Sequence, residues 1–156
     1  MGTPLIQRAT AEDAAPLTAL MHASRAYQGA YAPMIEGYRV TAAYIARHEV
    51  YKAVDPDDGD RLLGFYALVL DPLVLDPPEL DLAFVADAAQ GRGVGRLLMD
   101  HMKERARSAG LRAVRVVSNP PAEGFYRSVG AVRTGTVPPK PPRITWERPE
   151  LSFDLA

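Results

Sequence analysis

A chain of 156 residues, 47% of them hydrophobic, is long enough to bury one core and short for two, so a single domain over residues 1–156 is expected. A formal net charge of -1 and a pI near 6.3 provide no global field to gather nucleic acid or an anionic membrane, so any anion must be bound locally. The absence of cysteine excludes disulfides, thiolate zinc sites and a cysteine nucleophile, and His22, His48 and His101 fit no metal-ligand spacing, so no metal is expected.

The N-terminal stretch MGTPLIQRATAED has no sustained apolar run behind a basic start, and no segment is apolar for the roughly 20 residues of a membrane span, which predicts a soluble cytoplasmic protein. Leu5 to Ala9 reads as a first strand. Thr10 followed by Asp13 resembles a capping box and opens a helix carrying Ala14, Leu17, Leu20 and Met21 on one side, with the pattern dissolving near Gln28-Gly29. The segment AYQGAYAPMIEGYRV has no period and predicts a loop or short broken helix, after which Thr41 opens another turn or two through Ala46. Glu49 to Val54 and Leu62 to Leu70 read as antiparallel strands joined by the turn-rich DPDDGD. Three prolines make LDPLVLDPPE a connection, and Leu80 to Val85 is the fourth strand.

From Val94 to Ala109 an apolar stripe of Val94, Leu97, Leu98, Met102 and Ala106 faces away from Arg96, Asp100, Lys103, Glu104 and Arg107. This is the strongest helical pattern in the chain. Gly110 ends it, and Arg112 to Val117 is a β-branched strand bounded by SNPP. A short helix AEGFYRSV closes at Gly130, Ala131 to Val137 is another strand, VPPKPPRITWERP is a proline-rich loop, and Glu150 to Leu155 is the last strand. The order predicts one mixed α/β layer without internal repeats.

The stretch QGRGVGR, residues 90–96, places three glycines between a strand and that long helix. Free N–H groups of a first helical turn and the helix dipole favour an anion there, and phosphate is the obvious guest. The dinucleotide fingerprint fails, because Arg96 stands where the third glycine belongs, and no Gly-Lys-Ser/Thr closes a P-loop. The pattern that fits is Q-x-x-G-x-G at Gln90, Gly93 and Gly95. With Phe84-Val85 before the turn and Asn119, Phe125-Tyr126 and Gly130 following in order, the chain resembles the GNAT superfamily of acyl-CoA-dependent N-acetyltransferases. The matching features span residues 80–137.

The resemblance implies an α/β (α+β) fold: a mixed, mostly antiparallel sheet with a central parallel pair of its fourth and fifth strands and flanking helices. It implies acetyl-CoA as co-substrate and an amine acceptor, small molecule or peptide, with direct transfer in a ternary complex. The alternative is a non-catalytic acyl-CoA-binding or sensing domain. The backbone amides of Gly91, Arg92, Gly93, Val94, Gly95 and Arg96, with Gln90, would cradle the pyrophosphate. The Arg92 and Arg96 side chains either add contacts or are solvated. Peptide N–H groups near Phe84 and Val85 would polarise the acetyl oxygen. Asn119 would contact the pantetheine arm or cap the following helix. Tyr126 would reprotonate the leaving sulfur or be a core aromatic.

The base is open. Alternation along the strand places Glu79 and Asp81 on one face with Ala83 and Val85, so either carboxylate could drain a proton from the amine, as could a water chain alone. Tyr27, Tyr31, Tyr38 and Trp146 are candidates for the acceptor pocket, and Glu36 for holding a cationic amine. Families of this kind commonly dimerise, so a homodimer paired through the last strand is an expectation too.

Overall fold

Seven consecutive residues, Leu63 to Val69, are buried, a pattern a strand shows only when both faces of its sheet are covered. The computed structural model describes residues 3–74 and 77–156, so Leu75 and Asp76 of the expected proline-rich connection lie outside it. Its strands are β1 (Leu5–Arg8), β2 (Glu49–Asp55), β3 (Arg61–Val69), β4 (Glu79–Val85), β5 (Ala113–Val117), β6 (Ala131–Val137) and β7 (Arg148–Asp154). The helices are α1 (Ala14–Ala23), α2 (Ala42–Arg47), α3 (Val94–Ser108) and α4 (Glu123–Ser128).

One seven-stranded sheet runs β1-β2-β3-β4-β5-β7-β6. Every neighbouring pair is antiparallel except β4 and β5. The expected mixed sheet with a central parallel pair is what the chain forms.

The α3 stripe explains one face. Val94, Leu98, Met99, Met102 and Ala106 are buried against Leu63, Tyr66, Leu80, Val114 and Val116, and each large side chain so buried contributes about 1.5–3 kcal/mol. The helix stops in a Schellman arrangement. The Gly110 amide donates to Arg107 at 2.9 Å and the Leu111 amide to Ala106 at 3.0 Å, with Gly110 at φ 83° where a side chain would strain. Across the sheet, α1 and α2 bury Leu17, Met21 and Ile45 against Val50, Phe65, Ala67 and Phe84.

Three expectations shift at their edges. The first helix starts at Ala14 after a 3-10 turn, Ala11–Asp13, in which the Asp13 carboxylate accepts the Thr10 amide at 2.8 Å. It ends at Ala23, because Ser24 turns extended, and two 3-10 turns, Arg25–Tyr27 and Gly29–Met34, replace the rest of the pattern. The last strand begins at Arg148, two residues before the expected Glu150, and runs through Pro149, whose carbonyl still accepts the Ser118 amide at 2.9 Å.

Candidate active site

The parallel pair at the centre of the sheet is barely a pair. β4 and β5 meet in register only at Glu79↔Arg115, and the Arg115 amide donates to the Pro78 carbonyl at 3.0 Å. Beyond that point the strands part, and a cavity of about 660 Å³ occupies the wedge. Its walls are Leu80–Val85 of β4 and Val116–Asn119 at the end of β5, with the glycine turn at one end and α1 and the 3-10 turns at the other.

At the first end, Gly91 and Gly93 both sit at φ 77°, a conformation that costs a side chain about 1–2 kcal/mol. Gly93 is the N-cap of α3, and the first amide to find a helical carbonyl is Leu97, bonded to Gly93 at 3.0 Å. The amides of residues 92–96 therefore have no backbone partner among the described residues at the positive end of a fifteen-residue helix. Gly95 serves a different purpose: a Cβ there would stand 3.0 Å from the Phe125 ring, which packs over the turn. Gln90 folds back so that its Nε2 donates to the Val85 carbonyl at 3.1 Å. Both arginines of the turn are engaged elsewhere, Arg92 near Asp55 at 3.9 Å and Arg96 donating to the Ser128 carbonyl at 3.2 Å.

Along the wedge, strand parity decides which peptide group is available. The Ala86 amide donates to the Leu63 carbonyl at 2.8 Å, and the ladder continues through Gly64↔Val85 and Phe65↔Phe84. Bonded and non-bonded pairs alternate in an antiparallel ladder, so Phe84 spends its peptide groups on β3 while Val85 turns its N–H into the cleft.

Tyr126 and Asn119 both line the cavity and are 8% exposed each. The Tyr126 hydroxyl has no hydrogen-bond partner among the described residues, and burial, reinforced by nearby Tyr27, pushes its pKa well above the ordinary phenol value. Asn119 Oδ1 accepts Trp146 Nε1 at 3.2 Å, and its side chain makes no capping bond to the following turn. Phe125, by contrast, is exposed and meets the Tyr126 ring edge-on.

The β4 carboxylates depart from simple alternation. The β3–β4 register passes from Ala67↔Leu82 to Leu68↔Leu80, so Asp81 is an extra residue, a β-bulge. Leu80, Ala83 and Val85 consequently all pack on the α3 side, while Leu82 and Phe84 pack on the α1 side. The expectation that Glu79 and Asp81 share a face with Ala83 and Val85 is corrected by that bulge, which flips every side chain beyond it. Asp81 instead reaches α2, where its Oδ2 accepts the Tyr44 hydroxyl at 2.6 Å.

Glu79 accepts Arg115 Nη1 at 3.0 Å, and Arg115 also holds Glu150 at 2.6 Å. Burial raises the Glu79 pKa although Arg115 opposes it. Asp81 lines the cavity and Glu79 does not.

At the far end, the Tyr27 ring meets that of Phe84 at a tilt, with centroids 5.1 Å apart, and burial raises its pKa, its hydroxyl lying beside the Asn119 carboxamide. Tyr38 lines the cavity as well. Tyr31 and Glu36 are not on the cavity wall: Tyr31 meets the Trp146 ring edge-on at 5.1 Å, and the exposed Glu36 contributes its carbonyl, which accepts Arg143 at 2.8 Å. Met21, Ser24, Met34 and Ile35 line this end without having been singled out in the sequence. Nothing local marks them, since Met21 reads as a core position of α1, Ser24 falls within the expected first helix, and Met34 and Ile35 sit in a segment without period. Among the described residues no cluster of His, Asp and Glu could hold a metal, and no helix is long and apolar enough to cross a membrane.

Comparison with known proteins agrees with this fold. Residues 17–131 match the acetyltransferase (GNAT) family. A GCN5-related N-acetyltransferase structure from Rhodopseudomonas palustris superposes with a TM-score of 0.76 at 23% identity, covering 99% of this chain and 98% of that one. The PaiA N-acetyltransferase from Thermoplasma acidophilum, solved with coenzyme A, gives 0.76 at 15% identity, covering 98% and 99%. The ribosomal-protein-S18-alanine N-acetyltransferase of Escherichia coli gives 0.71 at 15% identity, covering 99% and 95%. At such identities the likeness speaks for the fold. No curated protein matches the chain by sequence. Because the family match spans well over half of the residues and the fold agrees from end to end, the chain belongs to the GNAT family of acetyltransferases and is an acyltransferase.

Proposed function

We propose that this chain transfers an acetyl group from acetyl-CoA directly to a primary amine held at the α1 end of the wedge. The observation that carries the reading is the continuity of one cavity from the free amides of the glycine turn, past Val85 and Tyr126, to the pocket beside Asp81. Residues 92–96 fit a pyrophosphate with their amides, since Arg92 and Arg96 are committed to Asp55 and Ser128. Bound there, acetyl-CoA supplies an activated acyl group. The chain contains no cysteine to take that group covalently, so direct attack by the amine is the simplest route.

The Val85 N–H faces the place where negative charge grows on the carbonyl oxygen. The carboxamide of Asn119, braced by Trp146, faces the pantetheine arm. Tyr126 keeps its proton because burial disfavours the phenolate, and so has one to give to the departing sulfur. Asp81, at the cavity wall and oriented by Tyr44, is better placed than Glu79 to accept the amine proton, directly or through water. Glu79 is tied to Arg115.

Replacement Tyr126→Phe tests the scheme. A general acid contributes about 10²–10⁴-fold, so kcat should fall by at least roughly a hundredfold while calorimetric affinity for CoA stays within about twofold. An undiminished kcat removes Tyr126 from the proton path. Acetyl-CoA binding without acetylation of any amine would point to a non-catalytic acyl-CoA-binding domain.

A further inference from the structure

From the lining of the α1 end of the cavity, we infer that the acceptor is a small amine with an apolar, preferably aromatic, body and no carboxylate. The inference rests on the transfer reading and adds the substrate class. Met21, Met34 and Ile35 supply an apolar wall, and Tyr27 and Tyr38 supply ring surfaces. Among the described residues Asp81 is the one acidic side chain on the cavity wall, and its carboxylate is held by Tyr44 at 2.6 Å. The basic side chain on that wall, Arg96, belongs to the glycine turn at the opposite end, so among the described residues no cationic side chain lines the acceptor end to pair with a carboxylate.

An ammonium group is attracted both by Asp81 and by the tyrosine ring faces. A carboxylate brought to the same place meets the exposed Asp81 as a like charge, a juxtaposition that disfavours binding. A polyamine would satisfy Asp81 once and leave its other charges against methionine and isoleucine.

The loop between β6 and β7 argues for a small molecule over a polypeptide. Arg143, in the loop between β6 and β7, donates to the Pro33 and Glu36 carbonyls at 2.7 and 2.8 Å. The same loop places Trp146 against Tyr31 and against Asn119. It thereby ties the segment carrying Met34 and Ile35 to the end of β5, and an extended chain would have to break these contacts to enter from that side.

The test compares 2-phenylethylamine with phenylalanine, whose bodies match and which differ by one carboxylate, alongside spermidine and a short peptide with a free N-terminus. With acetyl-CoA and thiol detection, kcat/KM for 2-phenylethylamine should exceed that for each of the others by at least roughly tenfold. Calorimetry on the CoA-loaded protein reads the same preference without turnover. There Asp81→Asn should weaken 2-phenylethylamine and narrow its advantage over phenylalanine. A preference for phenylalanine, spermidine or the peptide overturns the inference and leaves the transfer reading intact. Selective binding of 2-phenylethylamine with no acetylation of any amine supports the assigned ligand class and overturns transfer. An Asp81→Asn protein with unchanged selectivity overturns the part given to the carboxylate.

Discussion

Gly64 joins the stability of the sheet to the geometry of the site, and Gly64→Ala measures that connection. A Cβ at this position would lie 2.6 Å from the Phe84 carbonyl oxygen, 3.1 Å from a Leu98 methyl and 3.3 Å from the Val85 Cα. The Leu98 methyl can swing aside, but the other two are backbone atoms of β4. To bring the carbonyl contact merely to 3.0 Å, β3 and β4 must separate by about 0.4 Å, beside the 2.8 Å bond from Ala86 to Leu63. Overpacking of this kind costs about 1–3 kcal/mol. For a domain of this length a cost near 2 kcal/mol lowers Tm by roughly 4–8 °C.

Because the displaced strand carries the Val85 N–H, kcat should fall as well, whereas CoA affinity, set mainly by the glycine turn, should change less. Differential scanning calorimetry of the variant, paired with steady-state kinetics, reads both quantities. A Tm within about 1 °C of the parent and an unaltered kcat would refute the claim that this glycine sets the β3–β4 spacing at the cleft.

The buried imidazole of His48 yields a pH prediction. Burial first, and the charge of Arg47 second, hold its pKa below the ordinary imidazole value of 6.5, and its Nδ1 has no partner among the described residues. A depressed folded pKa means stability that is present above pH 6.5 and lost as pH falls through the lowered value, so Tm should drop over the step from about pH 7.5 to 5.5. His48→Gln should flatten that dependence, and an equally steep profile in the variant would place its origin elsewhere. Arg143→Ala, which removes two bonds to exposed carbonyls, should cost about 1 kcal/mol or less yet raise the amine KM severalfold, and an unchanged KM would show that the loop does not shape the acceptor site.

Much of the molecule was readable one segment at a time. The α3 stripe, its Schellman stop at Gly110, the Thr10–Asp13 entry to the first helix and the glycine turn are properties of a few neighbouring residues, so periodicity and backbone preference suffice to find them. The spacing of Gln90, Gly93, Gly95, Asn119 and Tyr126 likewise sufficed to indicate the family and the donor end of the cavity.

The acceptor end depended on tertiary structure. The bulge at Asp81 is a mismatch between two strands, invisible in either one, and it reverses which side chains share the face of the carboxylates. Tyr44 meets Asp81 across 37 residues of chain and Arg143 meets Pro33 across 110, distances over which no local pattern constrains a partner. The sequence alone could therefore point to where a phosphate would be held, because a helix terminus and its glycines are encoded locally. The proposed acceptor end took its shape only when packing brought α2, the 3-10 turns and the β6–β7 loop around the parted ends of β4 and β5.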